Sequence, residues 1–416
     1  MDPLDNPYAP GAGTRPPELA GREPQLQHFR LLLARVAAGR PERSLIITGL
    51  RGVGKTVLLN EFERLADEAD WFPVFKEMPA DRQRPFRDEI AEMGRRVLLA
   101  MGRREHLKNA VRRALGVLKS FGVRATVKDP HGIEWSVGIE AVQGVADSGN
   151  LDLDLADLLV EIGSVAKGRK TGVMFLFDEV QHLRREELSA LIMALHRANQ
   201  RNVPVSLLAA GLPQLPRLAT EAQSYAERLF RFERIGALDP EAARAALEIP
   251  ARAQGVSFES DALSLIVERS EGYPYFLQEW GREVWDLTAG PPIAVADVER
   301  ASADVERALD QGFFDVRAAR ATGNERRFML AMAALGDGPY RSGEIAKALG
   351  LTVQAASVSR DRLIKKGLVY SPRQGYLDFT VPRFAAFLRR RYPAFGRHGH
   401  GRRRPRTVEH GSSRRG

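Results

Sequence analysis

The chain has 416 residues, 44% hydrophobic and 28% charged, with a formal net charge of +9 and no cysteine. That length predicts two or three domains, and the missing cysteines exclude disulfides and every Cys-ligated zinc or iron–sulfur centre. No apolar run approaches the ~18 residues of a membrane span, and the opening M-D-P-L-D-N-P-Y-A-P lacks the hydrophobic core of a secretory signal, so a cytoplasmic protein away from membranes is expected.

The charge is unevenly placed. Residues 389–416 hold ten arginines and one acid, Glu409, which accounts for the whole +9 and leaves residues 1–388 neutral. A Gly/Arg/His/Ser-rich tail of this kind cannot bury a core; residues 393–416 are expected to be disordered, and either to grip nucleic acid or acidic lipid or to aid solubility. Within the body, residues 101–128 carry eight Lys/Arg against Glu105, and residues 129–161 carry eight acids with no Lys or Arg. The two segments either neutralise one another or present Arg103, Arg104, Lys108, Arg112 and Arg113 as an auxiliary DNA-facing helix.

In chain order, residues 1–19 are Pro/Gly-rich and read as a flexible N-terminus. From Gly21, apolar residues at helical spacing (Leu26, Phe29, Leu33, Val36) predict a helix. S-L-I-I-T reads as a buried strand ending at Gly49, V-L-L-N-E-F-E-R-L-A as a helix, and W-F-P-V-F-K-E-M as a second strand. Helices are expected across about 84–118. G-V-R-A-T-V and I-E-W-S-V-G-I-E, around K-D-P-H-G, predict an inserted hairpin at about 122–140. A helix from Asn150, the strand V-M-F-L-F-D-E, a helix over Glu186–Asn199 and the strand V-P-V-S-L-L-A-A-G follow. Alternating strands and helices imply an α/β fold with a parallel, doubly covered sheet over 20–238. Residues 239–322 read as a wholly helical lid domain, and 323–392 as short helices followed by a hairpin.

The stretch G-L-R-G-V-G-K-T, Gly49 to Thr56, fits G-x-x-x-x-G-K-[ST] between a strand and a helix. Glycines at 49, 52 and 54 let main-chain N–H groups around Arg51, Gly52 and Val53 curl round a phosphate, and the following helix aims its positive end at the same anion. Lys55 is placed for the β- and γ-phosphates and the Thr56 hydroxyl for Mg²⁺. V-M-F-L-F-D-E then supplies Asp178 for the metal and Glu179 to polarise an attacking water. ATP and Mg²⁺ are the expected ligands. Helix capping by Asp178 is a compatible structural reading. His398 and His400 in the tail read as tail residues, and Asp152, Asp154 and Asp157 as a helix start rather than a calcium loop.

Together with P-P-E-L-A-G-R-E (16–23), L-L-A-A-G-L-P and E-G-Y-P-Y-F-L-Q (271–278), these motifs resemble AAA+-type ATPases, most of all the initiator (origin-recognition-like) and archaeal STAND-like branch. The resemblance covers about 20–390. It implies a P-loop NTPase fold, a three-layer parallel sheet with a helical lid and a C-terminal winged helix-turn-helix. It also implies that Arg22 lines the adenine pocket, that Pro274 packs on the base, and that Arg228, with Arg231 and Arg234 as rivals, acts as an arginine finger or phosphate sensor. One departure stands out. Ala209-Ala210-Gly211 offers no polar side chain where many such ATPases place one beside the γ-phosphate, so slow or partner-stimulated hydrolysis is expected.

Residues 324–388 hold ten Lys/Arg and five acids. L-T-V-Q-A-A-S-V-S-R-D-R-L-I-K-K-G-L-V-Y, followed by S-P-R-Q-G-Y-L-D-F-T-V-P, resembles the third helix and wing of a winged helix. On double-stranded DNA, Gln354, Ser357 and Arg360 would face base edges, with Lys365, Lys366 and Arg373 on phosphates. Winged helices also dock proteins, and Ala355-Ala356 supplies few base-reading groups. Three readings follow: a DNA-coupled ATP switch that acts as a homo-oligomer, a STAND-like regulator docking protein, and a module that binds ATP for structure alone.

Overall fold

The computed structural model describes residues 1–11, 13–102, 108–123 and 140–393. Most of the expected hairpin at 122–140, the tail beyond Pro393, and Arg103 and Arg104 lie outside the described residues. The chain divides into two compact units, Met1–Asp315 and Val316–Gly416.

The first unit begins with α1 (Glu23–Ala37), β1 (Ser44–Thr48), α2 (Lys55–Glu68), β2 (Phe72–Glu77), α3 (Phe86–Met101), α4 (Lys108–Val123) and α5 (Leu151–Gly168). It continues through β3 (Val173–Asp178), α6 (Arg185–Gln200), β4 (Val205–Gly211), α7 (Leu215–Ala222), α8 (Ala226–Leu229) and β5 (Phe230–Arg234). The five strands are parallel, in the order β2-β3-β4-β1-β5. Every residue of β1, β3 and β4 is buried, as unbroken apolar runs require when helices cover both faces of a sheet. Register fixes what meets at the C-terminal edge. Thr48 lies beside Gly211 and Arg234, Phe177 beside Ala209, and Glu77 beside Asp178. The segments leaving β1 and β3 therefore emerge on either side of the end of β4. Phe29 of α1 stacks on Phe62 of α2 at 4.5 Å, anchoring both helices to the sheet through fully buried rings.

Between α4 and α5 the opposed charges meet where Arg113 pairs with Glu161 at 3.4 Å. Asp154, 1% exposed, binds Arg87 at 2.8 Å and accepts from Ser148 and Gly149. Its role is to fasten the entry to α5, in keeping with a helix start.

Residues beyond β5 form α9 (Pro240–Ala253), α10 (Ser260–Ser270), α11 (Pro274–Leu287) and α12 (Val295–Ala308), then a π-helical turn, Leu309–Asp315. Asp239 caps α9 by accepting from Ala242 N–H at 2.8 Å. These helices belong to the same compact unit as the sheet.

The N-terminal stretch expected to be loose is instead packed. Tyr8 is only 4% exposed, and its hydroxyl donates to the Leu247 carbonyl at 2.6 Å. The ring lies flat on Gly281, where a Cβ would come within 2.7 Å of it. Asn6 donates to the Arg282 carbonyl at 3.1 Å and to Asp286 at 2.8 Å. Farther along, Gly13 accepts from Asn60 at 3.4 Å and Arg15 pairs with Glu61 at 3.3 Å, both on α2. Residues 1–11 and 13–15 thus strap α11 and α2. Composition misleads here because one buried aromatic side chain, contributing about 1.5–3 kcal/mol, suffices to hold a short Pro-stiffened segment.

The second unit contains α13 (Val316–Ala319), α14 (Gly323–Ala334), β6 (Tyr340–Arg341), α15 (Ser342–Leu349), α16 (Val353–Lys365), β7 (Val369–Tyr370), β8 (Tyr376–Phe379) and α17 (Phe384–Arg391). Its small antiparallel sheet has the order β6-β8-β7. Thr352 caps α16 by accepting from Ala355 N–H at 3.2 Å. Arg389, counted with the basic tail from sequence, donates to the Ala333 and Gly336 carbonyls at 2.9 and 2.8 Å and so closes the C-terminal end of α14.

Candidate functional site

β1 hands the chain to the glycine loop, and the loop opens directly into α2, whose N-cap is Gly54. Gly52 and Gly54 adopt φ of +90° and +91°, a region L-residues enter only with strain. At Gly49 the constraint is space rather than φ, because a Cβ would sit 2.5 Å from the Ile235 carbonyl. Arg22, 7% exposed, passes behind the loop and donates to Val53 O at 3.0 Å and Gly236 O at 2.9 Å. Burial lowers its pKa, against the charges of Glu23 and Asp239. Arg22 thereby ties the loop to the exit of β5.

The Lys55 ammonium is buried inside its own loop, donating to Gly49 O at 3.1 Å and Leu50 O at 2.9 Å. Burial lowers its pKa, opposed by Glu179 and Asp178. One residue on, the Thr56 hydroxyl donates to Asp178 Oδ2 at 2.5 Å. Asp178 is 2% exposed and also accepts the Glu179 N–H at 2.8 Å. Burial raises its pKa, with the Thr56 hydrogen bond pulling the other way. A hydroxyl and a carboxylate in contact are hard oxygen donors suited to Mg²⁺. Mg²⁺ commonly completes its coordination with phosphate and water around one or two such protein oxygens.

Glu179 turns into the left-handed region, φ 53°. Three groups converge on its Oε2: Arg51 at 3.0 Å, His182 at 3.6 Å and the Gln181 amide. Burial works to raise the carboxyl pKa, but the His182 hydrogen bond and the charges of Arg51 and Lys55 together outweigh it and hold it at about 2. Gln181 also accepts the Leu212 N–H at 3.1 Å. It fits because Gly211 has no side chain; a Cβ there would stand 2.6 Å from Gln181 Oε1. The end of β4, without a polar side chain of its own, thus has an amide laid across it from the segment after β3. Sequence reasoning missed Gln181 and His182. The only available signal was their position two and three residues after the acidic pair.

Above the loop stands the start of α11. The Tyr273 hydroxyl donates to Arg51 O, and Tyr275 N–H donates to Gly52 O at 3.3 Å. Tyr275 stacks on Phe313 at 4.4 Å. Pro274 opens α11 between the two tyrosines.

The remaining sequence-predicted residues separate into those the fold brings near and those it does not. Arg228 is exposed in α8, before β5 begins level with Ser44. It therefore lies at the opposite edge of the sheet from the glycine loop, roughly 15–20 Å away along the strands. It cannot act as a phosphate sensor in its own site, and the finger reading requires a second copy of the chain. Arg231 is held by Glu233 and His28 at 3.0 and 2.8 Å. Arg234, level with Thr48, is the rival at the phosphate end. In the second unit, Gln354 and Lys365 are exposed, Ser357 donates to Gln354 O at 2.7 Å, and Arg360 bonds Asp361 at 2.8 Å. The Arg373 guanidinium lies 3.9 Å from the Tyr376 ring centre. Lys366 departs from expectation. Its ammonium donates to the buried Glu325 at 2.6 Å and to Arg320 O at 2.9 Å, so it is committed inside the unit rather than presented to a phosphate.

Comparison with known proteins places this geometry. Residues 18–208 match the model of the AAA ATPase domain, and residues 311–388 match a domain of unknown function, DUF8462. No curated protein matches the chain. Among solved structures, a Walker-type ATPase of Pyrococcus abyssi is 15% identical with a TM-score of 0.54, covering 90% of this chain and 97% of that one. The ORC1 protein of Aeropyrum pernix in complex with DNA is 16% identical with a TM-score of 0.44, over 92% and 95% of the two chains. The RuvB Holliday junction branch migration motor of Thermotoga maritima is 15% identical with a TM-score of 0.44, over 91% and 99%. The likeness to the Pyrococcus protein is one of fold. Residues 18–208 are thus similar to an AAA ATPase domain, and the parallel sheet covered by helices has the fold of the Pyrococcus protein. No helix among the described residues is long and apolar enough to cross a membrane.

Proposed function

We propose that the protein binds ATP with Mg²⁺ in the glycine loop and hydrolyses it slowly, as an AAA+-type molecular switch. The observation that carries this reading is the contact between Thr56 and Asp178 beside the buried Lys55. It brings a hydroxyl, a carboxylate and an ammonium, contributed by segments 122 residues apart, to one point beside a loop of positive-φ glycines. Backbone N–H groups of 51–56 cradle the phosphates, Lys55 neutralises the β- and γ-oxygens, and Thr56 and Asp178 hold the metal. Mg²⁺ held by Thr56 and Asp178 would supply Lewis-acid charge to the phosphates. Glu179 orients a water whose oxygen attacks the γ-phosphorus. The bond to the β–γ bridging oxygen breaks, ADP leaves, and the water proton ends on the released phosphate.

Isothermal titration of the full chain with ATP tests the reading. Binding that needs Mg²⁺ and disappears in Lys55→Ala supports it; no magnesium-dependent uptake by the wild type removes it.

We further propose that the nucleotide state sets the affinity of the second unit for double-stranded DNA, with α16 in the major groove as in a winged helix and Gln354, Ser357, Arg360, Lys365 and Arg373 on the nucleic acid. The helix–turn–helix order of α15 and α16 and the exposure of Gln354 and Lys365 support it. A second reading, a STAND-like regulator docking protein through the same helix, is favoured by the exposure of Leu351, Val353 and Val358 and by the internal commitment of Lys366. Mobility shifts of the full chain at rising salt separate them. DNA binding that weakens steeply with salt and differs between ATP and ADP supports the first, and its absence supports the second.

A further inference from the structure

Glu179, the residue assigned to orient water, is clamped, and the clamp is attached to the helical segment above it. Arg51 reaches from the glycine loop to Glu179 Oε2 at 3.0 Å, and both side chains are largely buried, 22% and 16% exposed. The Gln181 amide brings a second donor to that same oxygen, and the His182 ring stands 3.6 Å from it. A carboxylate so engaged is a poor acceptor for a water proton, because each donor stabilises the charge that attack requires it to share. Arg51 is itself held from above. Its carbonyl accepts the Tyr273 hydroxyl, and the next carbonyl, Gly52, accepts Tyr275 N–H at 3.3 Å. The two tyrosines flank Pro274 at the first turn of α11, and Phe313 stacks on Tyr275 from the π-helical turn. The position of α11 is thereby mechanically linked, through two residues of loop, to the group that must activate water.

Building on the ATPase reading above, we propose that Arg51 is a positioning residue that restrains hydrolysis. Its guanidinium withholds Glu179 from water, and the Tyr273 latch keeps Arg51 in place until α11 moves. A slow basal rate then follows from an ion pair inside the site. It does not depend on the bare end of β4 alone. Acceleration by a partner follows when that partner lifts the first turn of α11.

Steady-state ATP turnover by the full chain, with nucleotide affinity measured separately, tests this. Arg51→Ala is expected to raise kcat about 5- to 10-fold while KM also rises, since the residue leaves both Glu179 and the phosphate loop. Arg51→Lys restores a cation opposite Glu179 and is expected to return kcat to within about 2-fold of wild type. Tyr273→Phe removes only the latch hydroxyl and is expected to raise kcat about 2- to 3-fold with KM unchanged. A protein that binds ATP with Mg²⁺ normally but whose kcat falls or stays level in both Arg51→Ala and Tyr273→Phe overturns the restraint and leaves the ATPase reading standing. A wild-type chain that binds no ATP overturns both.

Discussion

Thr56 of α2 and Asp178 of β3 touch through a 2.5 Å hydrogen bond, joining the helix that follows the phosphate loop to the strand that delivers the acidic pair. The contact forms because β1 and β3, on either side of β4, end within about one residue of each other. Asp178→Asn keeps the shape and removes the charge. It is expected to weaken magnesium-dependent ATP affinity about 10- to 100-fold while metal-free nucleotide binding changes little; calorimetry with and without Mg²⁺ checks this.

Glu179→Gln separates binding from hydrolysis. The amide retains the volume of the side chain and loses the base, so turnover is expected to fall about 100-fold or more, with ATP affinity equal to or above that of wild type. A phosphate-release assay beside a binding isotherm reads both.

Gly211 makes room for Gln181. A methyl group there meets Gln181 Oε1 at 2.6 Å, displaces the amide and leaves the Leu212 N–H unpaired. Gly211→Ala is expected to lower stability by about 1–3 kcal/mol, seen as a reduced midpoint in denaturant. The double variant with Gln181→Ala is expected to recover the overlap component but not the lost hydrogen bond.

Tyr8 anchors the strap. Tyr8→Ala is expected to lower stability by about 2–4 kcal/mol, and to expose residues 1–20 to limited proteolysis before the rest of the chain. Because a Cβ on Gly13 would stand 3.3 Å from Thr56 Cγ2, loosening the strap is also expected to speed nucleotide dissociation, measurable with a fluorescent ATP analogue.

Glu325 gives the second unit a pH dependence of known sign. Burial tends to raise its pKa, but the hydrogen bond from Lys366 and that from Thr322 N–H outweigh it and lower the value from 4.5. The folded pKa lies below the unfolded one, so the stabilisation is complete above the unfolded value. It is lost as pH falls from there through the folded value. Lys366→Ala is expected to cost about 1–3 kcal/mol at pH 7 and to flatten the acid limb of a stability–pH profile.

The parts of this molecule legible in its sequence are those written in short spans. The glycine loop, the apolar run ending in Asp178-Glu179, and the Asp239-Pro240 helix start each state their structure within about ten residues. Backbone φ, strand burial and capping are local consequences of residue type. The pairings that set the behaviour of the site are not local. Arg51 and Glu179 are 128 residues apart, Tyr273 and Arg51 222, and Lys366 and Glu325 41. Single-sequence patterns carry no information about such pairs. Lys366 therefore reads as one more basic residue of a DNA-facing helix, and Arg228 as a sensor for its own site, until strand register puts it at the far edge of the sheet. Tyr8 was hidden for another reason. Its neighbours have the composition of a loose terminus, and one aromatic ring against one glycine overrules them.

Gly52 has only a hydrogen atom toward the helical segment. Any larger group there would wedge between the Tyr273 ring and Tyr275 Cβ, 3.2 and 3.3 Å from where a methyl carbon would stand. A methyl group there would fit only if those neighbours gave way by a few tenths of an ångström. The same glycine that lets the loop curl, at a φ of +90°, therefore also sets how closely α11 can settle on the phosphate loop.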